Sequence, residues 1–209
     1  MKIGIFGGGN VGGTLGAGWA SRGHEIMFGV RDPAASDMQA ILRRSDGHAK
    51  AASAADAAVF ADVIVNALPW DAAKTVLPSL NLKGKILLDV TNPFLPGLDG
   101  LEVGTTTSGG ELVAKWAAGA RVVKIFNTTG FGNMANPIYR GEPIPMLYCG
   151  DDPGAKATAS ELAAAIGFAP VDAGPLSNAR LLEPLALLWI WLANIGGLSR
   201  DFAFQIVKR

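Results

Sequence analysis

The chain has 209 residues, enough for one medium domain or a domain with a small appendage, and enough to bury a core without disulfides or metal. Eighteen basic and eighteen acidic side chains cancel, which leaves no electrostatic footprint for nucleic acid or anionic lipid. One cysteine, Cys149, and two histidines, His24 and His48, exclude an internal disulfide and a Cys/His metal site, and point to a reducing, cytoplasmic setting.

Short apolar runs alternate with Ala-rich helical patterns. Lys2–Phe6 reads as a strand. Val11–Arg22 reads as a helix with Val11, Leu15 and Trp19 on one stripe, ended by Gly23. A strand at Glu25–Gly29, a helix at Asp37–Arg44 and a short strand at Ala49–Ala52 follow. Ser53 caps a helix to Phe60. Asp62–Leu68 is a buried strand stopped by Pro69, and Trp70–Leu77 a helix stopped by Pro78. Lys85–Val90 is the next strand. Phe94–Thr107 is a long loop of the functional kind. Ser108 and Glu111 form a capping box for a helix to Ala118, followed by a strand at Arg121–Phe126. After a looser stretch, Pro145–Cys149 is a strand, and Asp152-Pro153 caps a helix to Ile166. Pro170–Ala173 is a strand, Ser177–Asn194 a long apolar helix, and Arg200–Val207 a last short helix. Leu185–Leu192 is too short to span a membrane. This alternation predicts an α/β fold, a Rossmann-type doubly wound parallel sheet, with residues 1–140 as the dinucleotide-binding domain and 141–209 as a small C-terminal α/β lobe.

Gly7-Gly8-Gly9-Asn10-Val11-Gly12 fits G-x-G-x-x-G between a strand and a helix, the context the motif requires. Gly7 permits the tight turn, Gly9 leaves room for a pyrophosphate, and Gly12 lets helix and sheet approach. The anion then sits on the helix N-terminus. At the end of the second strand an NAD-binding protein places an acid; here Val30 and Arg31 stand there, which favours NADP. Asp32 starts the next helix or pairs with Arg31.

Other residues have plain readings. His24 is a turn residue, His48 a solvated one, and Cys149 a small core residue. Asp151-Asp152 is an N-cap rather than a metal pair. Lys124, inside an apolar strand, occupies an edge or a salt bridge. Trp70 is the aromatic most suspected of touching ligand. Trp189 and Trp191, two apart, face different sides of one helix.

Two stretches, Cys149-Gly150-Asp151-Asp152 and Asp172 to Glu183, resemble the NADPH-dependent coenzyme F-420 (deazaflavin) reductase family. The N-terminal loop, Leu68-Pro69-Trp70 and Val90-Thr91-Asn92-Pro93 also look like it, and the related fold is the reductase domain of the STEAP metalloreductases. The resemblance implies direct hydride transfer between NADP(H) and a deazaflavin or flavin ring, which needs no nucleophile. It implies pyrophosphate contacts from Gly7, Gly9, Asn10, Val11 and Gly12, and 2′-phosphate contacts from Val30 and Arg31. Leu68, Pro69, Trp70, Asn92, Pro93 and Asn127 would complete the cofactor site. Thr129, Phe131, Gly174, Pro175 and Leu176 would line the acceptor side, with no catalytic side chain and no metal. The family has a His where this chain has Asn127, so FMN, FAD or riboflavin rivals coenzyme F-420 as acceptor. A redox sensor that binds NADPH without turnover, and a small imine or hydroxy-acid reductase, are the alternatives. The expected partner is a small-molecule hydride acceptor, with no nucleic acid and no membrane, and the apolar Leu185–Leu192 face suggests a homodimer.

Overall fold

A computed structural model describes residues 1–45, 47–207 and 209. Among the described residues, ten strands and eight α-helices follow the chain. The first half comprises β1 (Lys2–Phe6), α1 (Asn10–Ala20), β2 (Glu25–Gly29), α2 (Ser36–Arg43), β3 (Ala49–Ala52), α3 (Ala54–Phe60), β4 (Val63–Asn66), α4 (Trp70–Val76) and β5 (Ile86–Asp89). The second half comprises α5 (Gly109–Trp116), β6 (Arg121–Lys124), α6 (Phe131–Ala135), β7 (Ile138–Tyr139), β8 (Glu142–Pro143), β9 (Pro145–Gly150), α7 (Pro153–Ala165), β10 (Ala169–Asp172) and α8 (Ala179–Asn194).

Eight strands form one sheet in the order β10-β9-β6-β5-β4-β1-β2-β3, while β7 and β8 form a separate hairpin. Six of the eight, from β3 across to β6, are mutually parallel. β9 pairs antiparallel with β6, through Val123–Gly150 and Lys124–Cys149, and β10 then runs parallel to β9. The expected all-parallel sheet is therefore broken once. The connection from β6 to β9 holds only α6 and the hairpin, not a crossover helix of the length that returns a chain to the sheet's start.

Both faces of the sheet are apolar, as central parallel strands require. Ile3, Ile5, Val63, Val65, Leu88 and Val123 face one core, covered by α1 and α7. Phe6, Ile64, Leu87 and Val122 face the other, covered by α3, α4 and α5. Trp19 of α1 is fully buried and its indole N–H donates to the Leu162 carbonyl at 2.9 Å, tying α1 to α7.

The caps read from sequence are present. Ser53 Oγ accepts from the Asp56 amide, and Asp152 Oδ1 from the Ala155 amide. Ser108 Oγ accepts from the Glu111 amide and lies 2.8 Å from its carboxylate, which also forms an ion pair with Arg180 of α8. That pairing with Arg180 holds the Glu111 carboxyl below its usual range.

The last segment departs from expectation. Residues 200–207 form no helix. Phe202 stacks on Trp189 at 5.2 Å, and its carbonyl accepts from Asn133 Nδ2 and Trp189 Nε1. The backbone there is satisfied by tertiary partners instead of by an i→i−4 ladder.

Close sheet packing makes a sharp test at Gly4, where an added Cβ would stand 2.8 Å from the Ala57 carbonyl oxygen and 2.9 Å from Ala61 Cβ. Gly4→Ala is expected to lower unfolding free energy by about 1–3 kcal/mol in urea titration; a loss below about 0.5 kcal/mol would show that α3 yields freely.

Candidate active site

The parallel strands bring their C-terminal ends to one edge of the sheet, and there the glycine loop meets α1. Gly7 takes φ +100°, and a Cβ on it would strike the Ala67 carbonyl oxygen at 2.6 Å. A Cβ on Gly12 would run into the Gly7 carbonyl oxygen. Above Gly9 the space is open, with nothing within 4 Å of where a Cβ would be. No acidic residue occupies the first turn of α1, so its free N–H groups keep their full pull on an anion.

From this loop a groove of about 640 Å³ runs along α1, over Gly9, Asn10, Gly13 and Ala17 to Arg22 and Arg44. Phe131 and Met134 form its other wall and are shared with a second, more apolar cavity of about 260 Å³. That cavity lies at the exits of β5 and β6. Val11, Val90, Phe94 and Phe126 line it together with Gly130, Ala186, Trp189 and Ile190. Its neutral polar groups are Asn92, Asn127 and Thr129, and its one ionisable lining residue is Arg200.

Asn92 and Asn127 clasp one another. Asn92 Nδ2 donates to the Asn127 carbonyl, and Asn127 Nδ2 donates to Asn92 Oδ1 at 3.1 Å and to the Leu182 carbonyl at 3.2 Å. The two backbone carbonyls are obligate acceptors, which fixes the orientation of both amides. Asn127 Oδ1 is consequently left buried with no partner. A buried acceptor without a donor is costly, and His24 Nδ1 and Asn66 Oδ1 are in the same position. Just before it, Phe126 takes φ +61°, a left-handed conformation that a bulky residue rarely adopts, held by edge contacts to Trp19 and Phe168.

Beneath the cavity lies a sealed ion cluster. Lys124 Nζ is 2.9 Å from Asp89 Oδ2, 2.9 Å from Glu183 Oε1 and 2.6 Å from the Thr91 carbonyl. Asp89 also accepts from Asn66 and Thr91; Glu183 accepts the Gly109 and Gly110 amides that open α5. Burial, the largest influence, opposes the charge on Lys124, but the two carboxylates outweigh it and raise its pKa. Lys124 stands on an interior strand, so of its two expected settings it occupies the salt bridge and not an edge.

The other expected site residues divide. Val11, Asn92, Asn127, Thr129 and Phe131 share the cavity, while Gly9 and Asn10 line the groove. Val30 and Arg31 lie at the exit of β2; Arg31 is exposed, and Asp32 Oδ1 accepts from the Ala34 amide in a local turn. Leu68 and Pro69 follow β4. Trp70 turns to the opposite core, where it packs on Trp116 at 4.9 Å and donates to Glu102, and it does not line the cavity. Pro93 is buried against Gly109. Gly174, Pro175 and Leu176 lie outside the cavity lining: Leu176 is buried in the core with Val122, and its amide donates to Asp151. Cys149 is sealed, and burial pushes its thiol up to about 12, which removes it as a nucleophile.

Sequence reading missed Phe94, Ala186, Trp189, Ile190 and Arg200 as cavity residues. The pairing of a lysine in an apolar strand with Glu183 in an apolar helix was the available signal for the ion cluster. No equivalent signal marked Arg200.

Lys124→Met would leave two buried carboxylates without their cation. We expect a loss of about 3–5 kcal/mol in denaturant unfolding. A raised lysine pKa contributes stability fully below the unfolded value, about 10.4, and loses it as pH rises through the folded value. The gap between wild type and variant should therefore hold from neutral to mildly alkaline pH and narrow above that range; a gap that persists undiminished at strongly alkaline pH would refute this assignment.

Residues 2–93 match the family of NADP oxidoreductases that depend on coenzyme F-420. The whole chain is 33% identical to the F-420-dependent NADP reductase of Methanothermobacter marburgensis, covering 99% of that protein. It is 31% identical to metalloreductase STEAP3 of Rattus norvegicus over 99% of this chain and 42% of that one. A solved structure from Arthrobacter sp. FB24, described as an F-420-dependent NADP reductase, superposes with TM-score 0.87 at 31% identity, covering 100% of both chains. With a G-x-G-x-x-G loop between β1 and α1, the strand order of a dinucleotide-binding sheet and relatives matched end to end, the chain belongs to the coenzyme F-420-dependent NADP oxidoreductase family.

Proposed function

We propose that the chain is an NADP-dependent oxidoreductase that passes hydride between NADP(H) and the ring of coenzyme F-420 or a plain flavin. One observation carries the reading. A mostly apolar cavity abuts the glycine loop, and its polar lining consists of three neutral side chains and one arginine. Arginine is a poor proton donor or acceptor, so nothing in that lining suits acid–base or nucleophilic chemistry. Holding two planar rings together and dry is what such a wall can do.

NADPH, when bound, supplies the hydride. The chain's residues bind and orient. Open space over Gly9 and the α1 amides receive a pyrophosphate, and exposed Arg31 is placed for a 2′-phosphate. Asn92, Asn127 and Thr129 offer neutral polar groups beside the rings, and Phe94, Phe126, Phe131 and Trp189 exclude water. A homodimer is part of the same proposal. Leu181, Leu188, Trp191, Ile195 and Leu198 form one exposed stripe on α8 and its exit, and residues 184–199 carry no charged side chain. Such a face neither repels a second copy nor selects a charged partner.

NADPH absorbance followed with coenzyme F-420, FMN, FAD and no acceptor should show turnover with at least one ring; NADPH binding with no acceptor reduced would support a sensor instead. Arg31→Ala should raise KM for NADPH by about tenfold or more and leave NADH little changed. Equal effects on both coenzymes would place Arg31 outside the 2′-phosphate site. In sedimentation, a Leu188→Glu, Trp191→Glu double variant should be monomeric where the wild type is dimeric; a monomeric wild type would end the dimer proposal.

A further inference from the structure

Among the described residues, the cavity's one charged lining residue comes from a segment beyond the last helix. Arg200 Nε and Nη2 lie 3.2 and 3.0 Å from Asn194 Oδ1, at the end of α8. The tail around it is fastened on both sides. Phe202 stacks on Trp189 with an interplanar angle of 15°, and its carbonyl accepts from Asn133 Nδ2 at 2.8 Å and Trp189 Nε1 at 3.2 Å. Asn133 Nδ2 also donates to the hydroxyl of Thr129, a cavity residue. Tyr139 Oη lies 3.1 Å from Asp201 Oδ1 and 2.7 Å from Asn133 Oδ1.

Arg200 borders both the cavity and the outer depression beside Tyr139 and Asp201, which places it at the mouth. It makes no ion pair with a carboxylate among the described residues. Asp201, its neighbour in sequence, is engaged by Tyr139. Among the described residues, no acidic one lines the cavity. A guanidinium at the mouth of an apolar, otherwise uncharged cavity, oriented through an amide oxygen that leaves its charge uncompensated, is an anion receptor.

We propose that Arg200 is a specificity-determining residue that selects ring acceptors carrying an anionic side chain, above all a phosphate, over neutral ones with the same ring. The proposal rests on the oxidoreductase reading for its ligand class. Apolar walls hold the ring and cannot tell FMN from riboflavin; Arg200 can. The same chemistry could be met by a phosphate of NADP(H), so the test must separate the two sources.

The experiment is equilibrium titration by ring fluorescence, with paired probes on the full chain. The pairs are FMN against riboflavin, and coenzyme F-420 against its phosphate-free 8-hydroxy-5-deazariboflavin core; NADPH is titrated in parallel. The wild type should bind the phosphate-bearing member of at least one pair about 10- to 100-fold more tightly, a preference that shrinks with added salt. Arg200→Met should cut that ratio by about tenfold or more, and Arg200→Lys should restore part of it. Equal binding of both members by the wild type would overturn the proposal. So would an Arg200→Met effect confined to NADPH, which would give the residue to the dinucleotide, or equal losses for both members, which would make it mere packing. Hydride transfer is then read separately with the same probes. A phosphate preference without hydride transfer would defeat the oxidoreductase reading and leave Arg200's role standing; transfer without preference would do the reverse.

Discussion

The ion cluster around Lys124 is the constraint on which the rest depends. It joins Asp89 at the end of β5, Lys124 at the end of β6, Glu183 in α8 and the first amides of α5. Each of those elements also carries part of the cavity or its frame: Asn92 follows β5, Asn127 follows β6, and Ala186, Trp189 and Ile190 lie on α8. A buried ion cluster adds little net stability compared with a well-packed apolar one, but its directional bonds admit one arrangement. Here they fix where two strand exits and one helix stand relative to each other, and the cavity is the space left between them.

The clasp of Asn92 and Asn127 continues this logic one layer outward. Three directed hydrogen bonds are satisfied between the exits of β5 and β6 and α8, and the fourth acceptor, Asn127 Oδ1, is left buried without a partner. The strained backbone of Phe126 lies on the same path. The asparagine pair thereby fixes the position of two residues of the cavity wall. That is what pre-organisation means in physical terms: the cost of orienting a wall falls on folding instead of on binding.

Much of the fold was legible because its signals are local. β3 at Ala49–Ala52 was read to the residue, and the caps at Ser53, Ser108 and Asp152 were visible as a residue type at a fixed offset. The glycine loop was legible for the same reason. What was not legible depends on distant partners. The reversal at β9 is set by a connection whose own elements are two to five residues long. The tail was read as a helix from composition, yet Trp189 and Asn133 claim its backbone. Trp70 was suspected of ligand contact from its place after a strand, but which way a side chain turns there is decided by Trp116 and Glu102, far along the chain. Within the site, residues next to strand exits could be named, whereas the opposite wall, supplied by α8 and the tail, could not.

One feature of the tail reaches beyond the geometry of a single molecule. The sheet, the glycine loop and the ion cluster are bound to one another so tightly that few of their residues could change alone. Residues 199–207 lie outside all three, and they touch the body through one aromatic stack, a few hydrogen bonds and the packing of half-buried Ala203. A segment fastened in that way can change in length and chemistry at less cost to the fold than the sheet can. On the proposed reading, hydride donor and ring geometry would be inherited with the scaffold, while the choice of acceptor would be written in a short strip at its margin.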